Sequence, residues 1–155
     1  MARVRDAFHV DAPQAFVYDI ATDPERMLDW HANFVAIFDL SGPLDRPGAG
    51  YRAQLRLLGR RIEGEVVIVE AIRPTLHVFS ATAPRGGRGR SVTRFTRMGA
   101  GTDVEVEIDV TLPGGLFGGL ADGAFLEAAV ERDIRHSNAT LKALIELEHR
   151  TGRRA

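Results

Sequence analysis

Three short stretches carry the residue types from which chemistry is built. In "VERDIRHSNAT" a carboxylate, an imidazole and a hydroxyl recur at helical spacing: Asp133, then His136 three residues on and Ser137 four residues on. Such groups can move protons when they share a surface. In "LPGGLFGGLADGAF", Leu112 to Phe125, four glycines fall within six residues, between a strand-like and a helix-like pattern. That is where phosphate-binding loops sit. In "DWHANF", Trp30, His31 and Phe34 set a lone imidazole among aromatic rings.

Each stretch has a narrower reading once its spacing is tested. A phosphate loop of the Walker type ends in Lys-Ser/Thr, but Leu120-Ala121 follows Gly118-Gly119 here. A dinucleotide loop needs a parallel strand-helix-strand unit, which the alternating strands below deny. The glycines therefore serve turning or motion. Leu116 and Phe117 between them either form a lid over an apolar site or plug the core beside a plain connector. Asp133 and His136 supply too few ligands for zinc, and no metal is expected. "PRGGRGR", with Arg85, Arg88 and Arg90, has the composition of an RNA-binding segment, but one copy without interleaved aromatics reads as a solvated turn. No Ser-His-Asp set can be assembled.

The elements that must position these groups are legible in the hydrophobic pattern. "RVRDAFHV" is a strand, and two short helices follow, each with a proposed capping aspartate, Asp11 and Asp23, ahead of Pro13 and Pro24. Six further strands run from Val35 to Leu112. In "GYRAQLRLL", Tyr51, Ala53, Leu55 and Leu57 share one face. In "DVEVEIDVTL", Val104, Val106, Ile108, Val110 and Leu112 share one face and Asp103, Glu105, Glu107 and Asp109 the other. Alternation of this kind belongs to a half-buried antiparallel sheet. A helix from Asp122 to about Arg150 closes the order. At about 100° per residue its Leu126, Val130, Ile134, Leu141, Leu144 and Ile145 form one stripe, and Asp133 and Ser137 lie within about 50° of its centre. A buried carboxylate needs a partner. Arg94 or Arg97, of opposite parity on one strand, is the cation expected to reach it.

Composition sets the outer limits. Hydrophobic residues make up 45% and charged residues 26%, and the formal net charge is -1, which argues against a general nucleic-acid binder. With no cysteine, disulfides and thiolate chemistry are excluded. No apolar run approaches ~18 residues, so no integral membrane segment is expected, and a cytoplasmic location is. A single domain, residues 1–155, acting as a monomer or homodimer without a cofactor, fits these limits.

Four stretches in sequence carry a resemblance to a known family: "VDAPQAFVYDIATDPERMLDW", "VIVEAIRP", "GAGTDVEVEIDVTLP", and "LPGGLFGGLADGAF" continued by "ATLKALIELE". Together they resemble the START/Bet v 1-like (SRPBCC) superfamily, most of all its polyketide cyclase/dehydrase branch. The resemblance implies an α+β helix-grip fold: a curved seven-stranded antiparallel sheet wrapped around a long C-terminal helix, with two short helices after the first strand. It also implies an apolar cavity between sheet and helix.

The side chains expected to line that cavity are Trp30, Phe34, Tyr51, Leu55, Phe79 and Phe95 from the front of the chain and the middle strands. Val106 and Ile108 join them from the last strand, and Leu126, Val130, Asp133 and Ser137 from the helix. Leu116 and Phe117 would stand at the mouth. The function expected is binding of a lipid, isoprenoid, quinone or polyketide-like aromatic. The alternative is a cyclase/dehydrase, with Asp133 as base or proton shuttle, His31 as acid-base partner and Arg94 as enolate stabiliser. A third reading is a protein-interaction module with a filled cavity. An open cavity would set the first two apart from the third, and convergent polar groups inside it would favour catalysis over binding alone.

Overall fold

The alternation in the last strand becomes a register in space. In the computed structural model, which describes residues 2–113 and 123–152, Val104 and Val106 are buried while Glu105 is exposed. Glu107 and Asp109 on the outer face pair with Arg5 and Arg3. The strands are β1 (Ala2–Val10), β2 (Phe34–Phe38), β3 (Gly50–Leu57), β4 (Arg60–Ile72), β5 (Leu76–Ala83), β6 (Gly87–Met98) and β7 (Gly101–Thr111). Between β1 and β2 lie the short helices α1 (Gln14–Ala21) and α2 (Met27–Trp30), and α3 (Gly123–Thr151) follows β7. All pairings are antiparallel, in the order β1-β7-β6-β5-β4-β3-β2. This is the expected helix-grip.

The sheet curls because its wings must both reach α3. Leu126, Val130 and Ile134 of α3 pack with Ala2 and Val4 of β1. Leu57 and Leu58, from the hairpin five strands away in the sheet order, pack against the same cluster. Two bulges, at Val35 against β3 and at Val69 against β5, add one residue each and sharpen the bend. The β3–β4 turn itself is two residues, Leu58 (φ 52) and Gly59 (φ 76), the left-handed pair whose twist matches the flanking strands.

The helical cover is fastened differently from the way its sequence suggests. Asp11 caps nothing: its backbone N–H donates to Glu146 Oε2 at 2.8 Å, and α1 starts at Gln14 behind Pro13 without a side-chain cap. Gln14 Nε2 instead donates to the Phe95 carbonyl (2.8 Å), tying α1 to β6. Asp23 does accept the N–H of Glu25 (2.9 Å), but this holds an isolated turn, and regular helix begins only at Met27. From that turn Arg26 reaches α3 with both terminal nitrogens on Glu148, at 3.1 and 2.7 Å, a mostly buried bidentate pair.

Candidate functional site

The inner faces of β3 to β7, with Val130 and Ile134 of α3, enclose a cavity of about 160 Å³. Strand parity dictates its lining. Leu55 and Leu57 follow Tyr51 and Ala53 inward on β3, Ile62 and Val66 face them from β4, and Phe79 and Ala81 continue on β5. Phe34, paired with Leu55, closes one side, and Ile108, Val110 and Leu112 close the other. The walls of this outer chamber are overwhelmingly hydrocarbon. Arg56, Arg88 and Arg90 border it, so the "PRGGRGR" hairpin stands beside the cavity.

A second chamber of about 70 Å³ lies deeper, under α1 and α2. Trp30, Tyr51, Phe95, Val106 and Ser137 line it, and His31, Phe79, Ser91, Ile108 and Ile134 border both chambers. Its walls carry more polar groups, most of them already engaged. His77 Nε2 donates to the Leu44 carbonyl (3.0 Å), Asn138 Nδ2 to Asp6 (2.9 Å), and the Thr22 hydroxyl to the Tyr18 carbonyl (2.8 Å). Ser137 Oγ accepts the N–H of Ala32 (2.8 Å). Trp30 Nε1 and the Tyr51 hydroxyl are buried with no hydrogen-bond partner among the described residues.

His31 stands at the junction. Its ring stacks on Phe34 with centroids 4.2 Å apart and tilts against Trp30 at 5.3 Å. Burial pushes it down to about 4, against a smaller opposing pull from Asp133, so at neutral pH it is uncharged. Nδ1 accepts the Asn33 N–H (3.4 Å), which leaves the proton on Nε2. Burial also lowers His77 and raises the Tyr51 hydroxyl, so no group of the inner chamber among these is charged.

The other expected site residues are distributed elsewhere. Leu126 is buried in the cluster with Ala2 and Val4 and lines neither chamber. Arg94 is exposed: β6 turns Ser91 and Phe95 inward, so Arg94 between them points out. Arg97 is exposed as well, and neither arginine reaches Asp133. Leu116 and Phe117 lie outside the described residues. Asp133 lines neither chamber. It accepts from Asn33 Nδ2 (2.9 Å), whose other contact is the Arg56 carbonyl (2.8 Å), and so clasps the α2–β2 loop to α3 and β3. Among the described residues no three potential ligands form a metal cluster. Asn33, His77, Ser91 and Asn138 escaped the sequence reading. Ser91 had a usable signal, since it shares parity with Phe95, and Asn138 adjoins Ser137.

The clasp gives a first expected result. Asp133→Ala should lower stability by about 1 kcal/mol, mostly through loss of the Asn33 hydrogen bond, since the ion pair with exposed Arg132 adds little, and Asp133→Asn, which keeps an acceptor, by less. Apolar probe affinity should change less than twofold in both. Denaturant melts and probe titrations run in parallel decide the matter; a tenfold affinity loss at full stability would make Asp133 a ligand anchor.

A family model described as polyketide cyclase/dehydrase and lipid transport matches residues 1–146. Comparison with curated proteins gives no match. Solved structures similar in fold include a protein from Chromobacterium violaceum, at 16% identity over 93% of this chain and 96% of that one, with TM-score 0.73. Another is from Thermus thermophilus, at 18% identity, 92% and 96% coverage, and TM-score 0.72. A START superfamily protein from Mycobacterium smegmatis matches at 15% identity, 94% and 97% coverage, and TM-score 0.71. No described helix is long and apolar enough to cross a membrane.

Proposed function

Since the chain belongs to the polyketide cyclase/dehydrase and lipid transport family, we propose that it binds a hydrophobic small molecule between the sheet and α3: a lipid, isoprenoid, quinone or polyketide-like aromatic. The observation that carries this reading is the outer chamber, about 160 Å³ walled by Phe34, Leu55, Phe79, Ile108 and Val130. A ligand removing ~200 Å² of apolar surface from water there gains roughly 5 kcal/mol before the costs of association. Binding of that kind needs no reactive side chain. An open cavity also speaks against an interaction module with a filled core.

Catalysis by cyclisation and dehydration has less support. Of the three groups it was expected to use, only His31 borders the cavity; Arg94 is on the outer face and Asp133 is engaged in the loop clasp. Most polar groups of the inner chamber are bonded within the protein, so they do not supply the converging set that catalysis would need.

The test is direct. The neutral fluorophore 1-aminoanthracene should bind saturably at one site, and native mass spectrometry with organic extraction should find an apolar molecule on the purified protein. Emission that rises without saturation, together with protein free of any extractable ligand, would sink the reading.

A further inference from the structure

The two unpaired donors of the inner chamber narrow the ligand. Tyr51 is 4% exposed, and neither its hydroxyl nor Trp30 Nε1 meets an acceptor among the described residues. Buried donors without partners are rare in folded proteins and ask for an explanation. Both residues line one chamber, and three other polar side chains of its lining are bonded elsewhere: His77 to Leu44, Asn138 to Asp6, Ser137 to Ala32. An indole N–H only donates, and the Tyr51 hydroxyl, kept protonated by burial, has its proton to give. Each donor therefore calls for an acceptor that the described residues do not give it.

The sign of that acceptor's charge follows from the walls. Among the described residues lining the inner chamber there is no lysine or arginine. His31 and His77, its two imidazoles, are held neutral by burial. A carboxylate or phosphate placed there would be a buried anion without a counter-charge, which is costly. A neutral oxygen with two lone pairs meets two donors without that penalty.

We propose that the inner chamber is a head-group site in which Trp30 Nε1–H and Tyr51 O–H donate to one neutral carbonyl oxygen, that of a ketone, quinone or ester, while the apolar remainder of the ligand fills the outer chamber. This rests on the apolar-ligand reading above. The shared border of His31, Phe79, Ser91, Ile108 and Ile134 sets the two chambers side by side, as a molecule with a polar end and an apolar remainder would need.

The sequence contains a single tryptophan, so the protein has one indole N–H signal to watch. The experiment titrates ¹⁵N-labelled protein with 2-undecanone and with 2-methyl-1-undecene, which differ only in C=O against C=CH₂. Both should bind. The ketone alone should move the Trp30 indole proton downfield. Tyr51→Phe should weaken the ketone by about fivefold, the worth of one neutral hydrogen bond, and leave the alkene within twofold. Since the hydroxyl it removes has no protein partner, this variant should melt no lower than wild type, and the wild-type indole shift decides the question even if it does not. Binding of both compounds with no indole shift, or an equal loss for both in Tyr51→Phe, overturns the head-group assignment and leaves apolar binding standing. Binding of neither overturns both.

Discussion

Gly89→Leu is expected to abolish 1-aminoanthracene binding, by more than tenfold in affinity, while the protein melts at the same temperature or higher. Gly89 lies on β6 at the inward parity of Ser91 and Phe95, and it lines the outer chamber. A Cβ built there would meet only the Asp109 carbonyl oxygen at 3.7 Å and Ala81 Cβ at 3.8 Å, ordinary contact distances. The added side chain therefore projects into the cavity without displacing backbone. Glycine weakens a strand interior and a filled cavity stabilises, so a gain of about 0.5–2 kcal/mol is the reasonable scale. Gly64, on β4 two strands away, is the contrasting position: its Cβ would stand 2.8 Å from the Thr82 carbonyl oxygen, and substitution there should cost stability. Thermal melts and probe titrations on Gly89→Leu read both quantities. Undiminished affinity would mean that the probe does not occupy the outer chamber.

The second large effect is a loss of stability in mild acid that depends on His31. Its folded pKa, about 4, lies below the unfolded value of about 6.5. Protonation therefore favours the unfolded chain. The contribution of the neutral ring is fully present above pH 6.5 and is lost as pH falls from there toward 4. Between pH 7.5 and pH 5.0, still above the ordinary carboxylate range, the loss should be roughly 2 kcal/mol. His77, lowered by burial, acts in the same sense. Exposed His9, raised by its hydrogen bond to Asp103, acts in the opposite sense. His31→Gln removes the His31 contribution and keeps those of His77 and His9, so the difference between the two proteins isolates it. Urea denaturation at the two pH values should show a shallower pH dependence in His31→Gln; parallel slopes would mean that His31 titrates normally.

What could be read from the sequence was periodicity. The strict alternation from Asp103 to Leu112 gave the inner and outer faces of β7, and the stripe from Leu126 to Ile145 gave the buried face of α3. The site was harder, because its decisive features are not periodic. An angle on a helical wheel places Asp133 near the buried stripe but does not say what faces it; a loop amide, Asn33, does so rather than a strand cation. Arg94 was readable, since its neighbour Phe95 belongs inside and parity then sends Arg94 out. The bulges at Val35 and Val69 were not readable, as each shifts parity by one with no composition signal. The division into two chambers is a matter of which side chains from distant elements meet, a tertiary fact. That the Trp30 and Tyr51 donors lack partners emerges only when every neighbour's hydrogen bonds are counted.

The pairing of β1 with β7 has a consequence for how the chain folds. Ala2 sits opposite Val110, so the first strand is synthesised far ahead of the one beside which it must lie. Until β7 arrives, β1 has no other strand to pair with, for its remaining side is the edge of the sheet. The hairpins from β2 through β7 can zip from short turns, but the closing step joins chain segments separated by nearly the whole sheet. Loop closure over that span costs little more free energy than over half of it, about 0.6 kcal/mol per doubling. The delay is one of search: topologies dominated by such distant pairs fold in milliseconds to seconds. The late step is also the one that completes the cluster of Ala2, Val4, Leu126 and Val130. A nascent or partly unfolded chain would thus hold most of its sheet with the grip on α3 still open.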